Sequence, residues 1–229
     1  MLQLPLGVRL REASRFDNFF AGPNAAAVHA AATLAQADHA AHLWLWGARG
    51  SGRSHLLQAV CAEAGALTRA STYLPVAELR PMGPGVLAGL EALRIVAVDD
   101  VDSIAGDAAW ERALFNLYNG ASEQGVALVF AAAAPPAAIR WTLNDLASRL
   151  SAATVFQMRP LDDAELTQAL TRRAALRGLE LPGESAEYLL KRFPRDMHTL
   201  CGVLDTLDEA SLVAQRRLTV PFLKEVLQR

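Results

Sequence analysis

Gly47-Ala48-Arg49-Gly50-Ser51-Gly52-Arg53-Ser54 follows a short apolar run at residues 43–46 and precedes a helical pattern that opens with His55-Leu56-Leu57. The stretch fits G-x-x-x-x-G-K-[ST], with arginine where lysine usually stands. Glycines at this spacing let the backbone curl until its N–H groups converge on a phosphate, and the start of the following helix adds favourable partial charge. Gly47, Gly50, Ser51, Gly52, Arg53 and Ser54 are therefore candidate phosphate contacts, and Ser54 is also a candidate Mg2+ ligand. His55 joins them as a helix N-terminal residue rather than as a catalyst. Lysine presents a compact charge between phosphates, whereas arginine is bulkier and forked. Binding is thus expected to survive the exchange better than hydrolysis.

Further along, Arg94-Ile95-Val96-Ala97-Val98-Asp99-Asp100 is an apolar run that ends in two carboxylates. A strand of this kind can deliver one acid to a metal and another to an attacking water. Asp99 is the candidate metal ligand and Asp100 the acid beside the nucleotide. Alone, two aspartates after a strand are ordinary turn chemistry; downstream of a phosphate loop they point to a nucleotide site.

Around these motifs, short apolar runs at 43–46, 71–74, 94–98, 126–131 and 154–158 alternate with helical patterns, as in a mostly parallel sheet covered on both faces. Between the third and fourth, Trp110, Leu114, Leu117, Tyr118 and Ala121 line one face of a helix expected over 107–124. Trp44 and Trp46 read as packing residues of the first strand. After Arg159-Pro160 no strand pattern recurs. Asp162 or Asp163 can cap a helix that ends at Gly178, a second covers 184–192, and a third carries Met197, Leu200, Leu204 and Leu207. Thr219 and Pro221 open a last short one.

Composition limits the function classes. A chain of 229 residues, 52% hydrophobic and 20% charged, suits one α/β domain with a subdomain. A net charge of −2 argues against coating nucleic acid, which needs a basic surface. The pairs Arg172-Arg173 and Arg216-Arg217 read as solvated helix faces before they read as DNA contacts. Cys61 and Cys201 stand far apart without a CxxC pattern, as in a reduced cytoplasmic protein. The five histidines show no metal-ligand spacing. No apolar stretch approaches the roughly 18–20 residues that span a bilayer, and the alanine-rich segment 25–41 reads as a soluble helix.

Together the motifs resemble the DnaA branch of the AAA+ proteins, over nearly the whole chain. Phe16-Asp17-Asn18-Phe19 with Gly22 and Asn24 is similar to the box that cradles the adenine end of the nucleotide there, which implies Phe19 and Asn24 as nucleotide contacts. Val98-Asp99-Asp100-Val101 with Ile104-Ala105-Gly106 resembles that branch's acidic strand. Leu146-Ala147-Ser148-Arg149-Leu150 resembles the box that carries its arginine finger, which implies Arg149 as a catalytic group acting in trans. Arg195-Asp196-Met197 lies where the lid's phosphate-sensing arginine is expected, which implies Arg195. The implied fold is an α/β AAA+ P-loop NTPase: a parallel sheet flanked by helices (9–159), followed by a small all-α lid (160–229).

Within that branch the chain resembles the Hda-like regulatory homologues more than the initiators. It is expected to lack a C-terminal helix-turn-helix DNA-binding domain, and its loop continues Gly52-Arg53-Ser54-His55-Leu56-Leu57 in their manner. Hda-like proteins begin with glutamine-leucine-x-leucine-x-leucine, which docks in a groove of the DNA polymerase III sliding clamp, a recognised peptide-binding mode. Leu2, Leu4 and Leu6 keep that spacing, but Met1 occupies the glutamine position and Gln3 the variable one. A weakened motif, an upstream start codon, or a shifted register with Gln3 in the groove would each account for it. Residues 1–8 are accordingly the expected clamp-binding segment.

The resemblance implies a negative regulator of replication initiation that binds ADP or ATP with Mg2+ and stimulates hydrolysis of DnaA-bound ATP. DnaA and the clamp are its implied partners, DNA is reached mainly through the clamp, and nucleotide-dependent self-assembly is left open. An adaptor without catalysis and an autonomous AAA+ ATPase are the alternatives. After the fourth strand, active AAA+ enzymes carry a polar residue, whereas Phe130-Ala131-Ala132-Ala133-Ala134-Pro135-Pro136 has none. With Arg53 in the lysine position, this implies feeble intrinsic ATPase activity.

Overall fold

The computed structural model describes residues 14–37 and 41–228. The expected clamp motif, with Leu2, Gln3, Leu4 and Leu6, lies outside the described residues.

Five strands, β1 (His42–Gly47), β2 (Ser71–Pro75), β3 (Ile95–Asp99), β4 (Ala127–Ala132) and β5 (Thr154–Met158), form one sheet in the order β2-β3-β4-β1-β5. All pairings are parallel. β1 therefore lies between β4 and β5, and the phosphate loop leaves its carboxyl end, where open parallel sheets bind ligands. Side chains alternate across the sheet as strand geometry requires. Leu43 and Leu45 of β1 pack with α1 (Ala25–Gln36) and α2 (Arg53–Ala66) on one face. Trp44, fully buried, faces the other layer, where the core includes Trp110, Leu114, Leu146 and Leu150. Trp44 also donates its indole N–H to the Ala134 carbonyl at 3.1 Å. β3 and β4 are buried along their whole length, which is why they read as unbroken apolar runs.

Between β2 and β3 the chain makes a one-turn helix, α3 (Val76–Leu79), and several 3-10 turns, a stretch for which the sequence shows no periodicity. α4 (Ala108–Gln124) starts one residue later than expected. Asp107 caps it, accepting from the Ala109 and Trp110 amides, and Gly125 ends it in a left-handed conformation. α5 (Asn144–Ser151) then packs Leu146 and Leu150 into the same layer and turns directly into β5.

Beyond Met158 the described structure is helical. α6 (Asp163–Leu176) opens with a capping box in which Asp162 and Glu165 bond each other's backbone amides. α7 (Gly183–Arg192), α8 (Met197–Ala214) and α9 (Val220–Leu227) follow. They share their own core of Leu166, Leu170, Leu189, Leu200, Leu204 and Phe222, separate from the two cores of the sheet. No described helix is long and apolar enough to cross a membrane.

Candidate nucleotide site

At the carboxyl end of β1 the loop's glycines are demanded by different neighbours. A Cβ on Gly47 would lie 2.2 Å from the Met158 carbonyl oxygen, so this glycine lets β1 and β5 close. Gly50 (φ +84°) and Gly52 (φ +92°) hold backbone angles that L side chains rarely adopt. A Cβ on Gly52 would also meet the Phe19 ring at 2.7 Å. Two buried groups here, Ser51 Oγ and Arg53 Nη1, have no hydrogen-bond partner among the described residues. Buried polar groups are rarely left so. With the curled backbone around them they fit a bound phosphate.

The acidic edge lies across from this loop. Asp99, 2% exposed, ends β3; its Oδ2 accepts from the Tyr73 hydroxyl at 2.7 Å and its Oδ1 from the Asp100 amide at 3.0 Å. Ser54, at the start of α2, lies beside the same Tyr73 hydroxyl. The P-loop serine and the β3 aspartate thus flank one point, a donor set that suits Mg2+ carried with a phosphate. Burial first, then Asp99, holds the Tyr73 hydroxyl well above the ordinary tyrosine range, so it remains a donor. Asp100 has φ +49°, and its carboxylate sits 3.6 Å from Arg53 Nη2. Partial burial, then the charge of Asp99, raises its pKa, while Arg53 and Arg49 pull it back.

The N-terminal box closes one side. Phe19 packs on His55 with ring centroids 5.3 Å apart, and His55 Nε2 is 3.1 Å from the Arg15 carbonyl oxygen. His55 therefore ties the box to α2. Asn24 is 3% exposed and both ends of its amide bond the Arg159 backbone, at 2.9 and 2.8 Å, so it fixes the junction between sheet and lid. Of the arginine pair 172–173, Arg172 lies on an exposed helix face as expected, but Arg173 does not. Arg173 is 8% exposed and donates to the Asn18 carbonyl at 2.8 Å, and Arg172 donates to the Asp17 carbonyl at 3.1 Å. Those carbonyls point at α6, a proximity that one-dimensional periodicity does not carry. Arg216 and Arg217 are paired with Glu225 and Glu180 within the lid.

On the lid side, Asp196 caps α8 by accepting from the Thr199 amide, and its Cβ would be 3.5 Å from a Cβ on Gly50. This brings the Arg195-Asp196 turn against the phosphate loop. Arg195 itself is exposed and pairs with Asp163 at 3.3 Å.

Arg149 is not part of this cluster. It is exposed on α5, and among the described residues it forms no ion pair, Asp145 included. Its charge acts on the Tyr118 hydroxyl, where burial raises the pKa and Arg149 lowers it. Tyr118 in turn packs on His42 at 4.7 Å, at the beginning of β1. The phosphate loop leaves the far end of that strand, about 16 Å away at the usual rise per residue.

A family model described as "Hda, lid domain" matches residues 163–227, and one described as the bacterial DnaA ATPase domain matches residues 10–76. The crystal structure of domain III of Thermotoga maritima DnaA superposes with a TM-score of 0.78 at 21% identity, over 96% of this chain and 98% of that one. In its amino-terminal stretch and in its lid the chain is thus similar to DnaA-homologous, Hda-like proteins. AMPPCP-bound DnaA from Aquifex aeolicus is similar at a TM-score of 0.69 and 18% identity, covering 85% of this chain and 65% of that one. The Thermotoga maritima RuvB branch-migration motor shares the fold at 0.66 and 17%, covering 89% and 67%.

Several site residues carry no sequence motif. Tyr73 sits on an edge strand, and only the pairing of β2 with β3 brings it to Asp99. Glu111 is an acid in the first turn of α4, yet it is fully buried. Its carboxylate accepts from the Gly106, Thr142 and Leu143 amides and from the Thr142 hydroxyl, at 2.7–3.1 Å. Burial pushes its pKa up, but these donors outweigh burial and leave it below the ordinary range.

Proposed function

We propose that this protein is a cytoplasmic regulator that restrains replication initiation by stimulating hydrolysis of DnaA-bound ATP, with Arg149 as an arginine finger in trans. The observation that carries this reading is the position of Arg149: exposed, without an ion pair among the described residues, and in the last turn of α5, which leads into β5 where Thr154 pairs with Leu43 near the start of β1, whereas the phosphate loop leaves the other end of that strand. A guanidinium so placed is out of reach of its own nucleotide and available to a neighbour's. Head-to-tail contact with DnaA then brings it to the γ-phosphate, where it offsets developing charge. Such fingers are worth roughly 10³- to 10⁵-fold in rate.

In this reading the chain's own site has a structural task. Gly47, Gly50, Ser51, Gly52 and Arg53 hold the phosphates of ADP or ATP, Ser54 and Asp99 face Mg2+, and Asp100 stays beside Arg53. Phe19, held by His55, contacts the base, Asn24 keeps the junction behind it closed, and Arg195 exchanges Asp163 for a phosphate. The nucleotide supplies negative charge that joins sheet and lid. Arg53 paired with Asp100, and the alanines that follow β4, support weak hydrolysis in cis. Residues 1–8, through Leu2, Gln3, Leu4 and Leu6, dock the protein on the DNA-loaded clamp and concentrate it near DnaA.

The test measures hydrolysis of ATP on DnaA with and without this protein and DNA-loaded clamp. Stimulation is expected to require the clamp and to fall to background in Arg149→Ala, with nucleotide binding intact. Undiminished stimulation by Arg149→Ala would refute the finger. Clamp and DnaA binding without stimulation by the unmodified protein would replace it with an adaptor.

A further inference from the structure

We infer that Glu111 is the positioning residue for the Arg149 helix: its buried carboxylate anchors the start of α5 to the loop that follows Asp99-Asp100. The inference rests on the trans-acting reading above and adds to it the group that aims the finger.

α5 has only eight residues, two turns, and such a helix is marginal unless tertiary contacts hold it. Leu143 stands at its N-cap, where it supplies no side-chain oxygen. The amides just ahead of its first turn instead find their acceptor on another helix. Glu111 Oε2 accepts from the Leu143 amide at 2.8 Å, the Thr142 amide at 2.9 Å and the Thr142 hydroxyl at 2.7 Å. Its Oε1 accepts from the Gly106 amide at 2.7 Å. One fully buried carboxylate thus joins α5 to the loop after β3.

That loop is itself stiff. Ser103 donates to the Asp100 carbonyl, Ala105 to Asp102 and Asp107 to Ile104, while Val101 and Ile104 are fully buried. Arg80 fastens it from outside, bonding the Ser103 carbonyl at 2.9 Å and Asp107 at 3.4 Å. The nucleotide-side acids and the finger helix therefore share one hydrogen-bonded anchor. All its partners are donors, so only an ionised carboxylate satisfies them; an amide would turn N–H against N–H. Along the inner face of α5, Leu146 in the first turn and Leu150 in the last are fully buried, while Arg149 is exposed. Loosening the start of the helix lets it pivot about those leucines and moves the guanidinium.

The test uses the full chain as Glu111→Gln, with Thr142→Val as a milder variant that removes only the hydroxyl donor. ATP hydrolysis on DnaA is measured across a titration of each protein, so that the plateau rate separates from the half-saturating concentration. A displacement of about 1 Å can cost about a hundredfold. Glu111→Gln is therefore expected to lower the plateau at least about tenfold, with half-saturation and ADP affinity held within about twofold and Thr142→Val in between. Amide exchange over 142–151 is expected to accelerate more than elsewhere. An unchanged plateau, or a plateau that falls only in parallel with melting temperature and half-saturation, would overturn the inference. If unmodified protein fails to stimulate DnaA, the finger reading fails instead. Exchange then decides: selective acceleration over 142–151 sustains the anchor, and unchanged exchange removes it.

Discussion

Gly47→Ala separates two reasons for a glycine at the head of a phosphate loop, room for a ligand and room for a neighbouring strand. The added Cβ would stand 2.2 Å from the Met158 carbonyl oxygen and 3.2 Å from its carbonyl carbon. An ordinary carbon–oxygen contact is about 3.3 Å, so roughly 1 Å must be found. Both atoms are backbone, and Gly47 and Met158 are register partners, so no side chain can yield; the last rung between β1 and β5 must open. Overpacking of this kind costs about 1–3 kcal/mol, and a weakened ladder bond adds about 1 kcal/mol. At about 2–4 °C per kcal/mol for a chain this size, melting should fall by about 5–15 °C.

Two other glycines calibrate the experiment. Gly65, in the last turn of α2, has nothing within 4 Å of the place a Cβ would take, so Gly65→Ala should stabilise by about 0.5–1 kcal/mol. Gly52→Ala meets a Phe19 ring that can rotate away, at a strained φ worth about 1–3 kcal/mol. Its larger effect should be on adenine-nucleotide affinity, because Phe19 is displaced. Thermal unfolding by circular dichroism, with binding of a fluorescent ADP analogue, gives both readouts. A Gly47→Ala protein that melts within about 2 °C of the unmodified one would refute the packing argument.

Besides the Arg149 and Glu111 experiments, two more outcomes follow from the geometry. Arg173→Met removes a buried charged donor from the Asn18 carbonyl and should cost about 1.5–3 kcal/mol, with faster proteolysis between sheet and lid; unchanged proteolysis would mean that the latch does not hold the lid. Burial holds the His42 pKa below its ordinary 6.5, and the folded state thus favours the neutral ring. Its contribution is present above pH 6.5 and is lost as pH falls through the lower folded value, so the melting temperature should drop on acidification and His42→Phe should flatten that drop. Identical pH profiles for the two proteins would exclude His42 as a source.

Much of this molecule was readable from local chemistry. Glycine spacing, an apolar strand ending in Asp99-Asp100, and a change of periodicity after Arg159-Pro160 are properties of neighbouring residues, and each survives translation into a string of letters. They were sufficient for the strands, the loop, the all-helical region that follows, and the relation to DnaA. The roles of Tyr73, Arg173 and Glu111 were not readable, because each depends on a partner brought close only by the fold: Asp99 across a strand pair, Asn18 across the lid, and Thr142 across two helices. Gly47 shows both levels in one residue. That a glycine opens this loop is legible in the order of the residues. That the carbonyl of Met158, more than a hundred residues away, is what excludes a side chain there follows from the folded arrangement alone, since steric exclusion acts between atoms close in space whatever their separation along the chain.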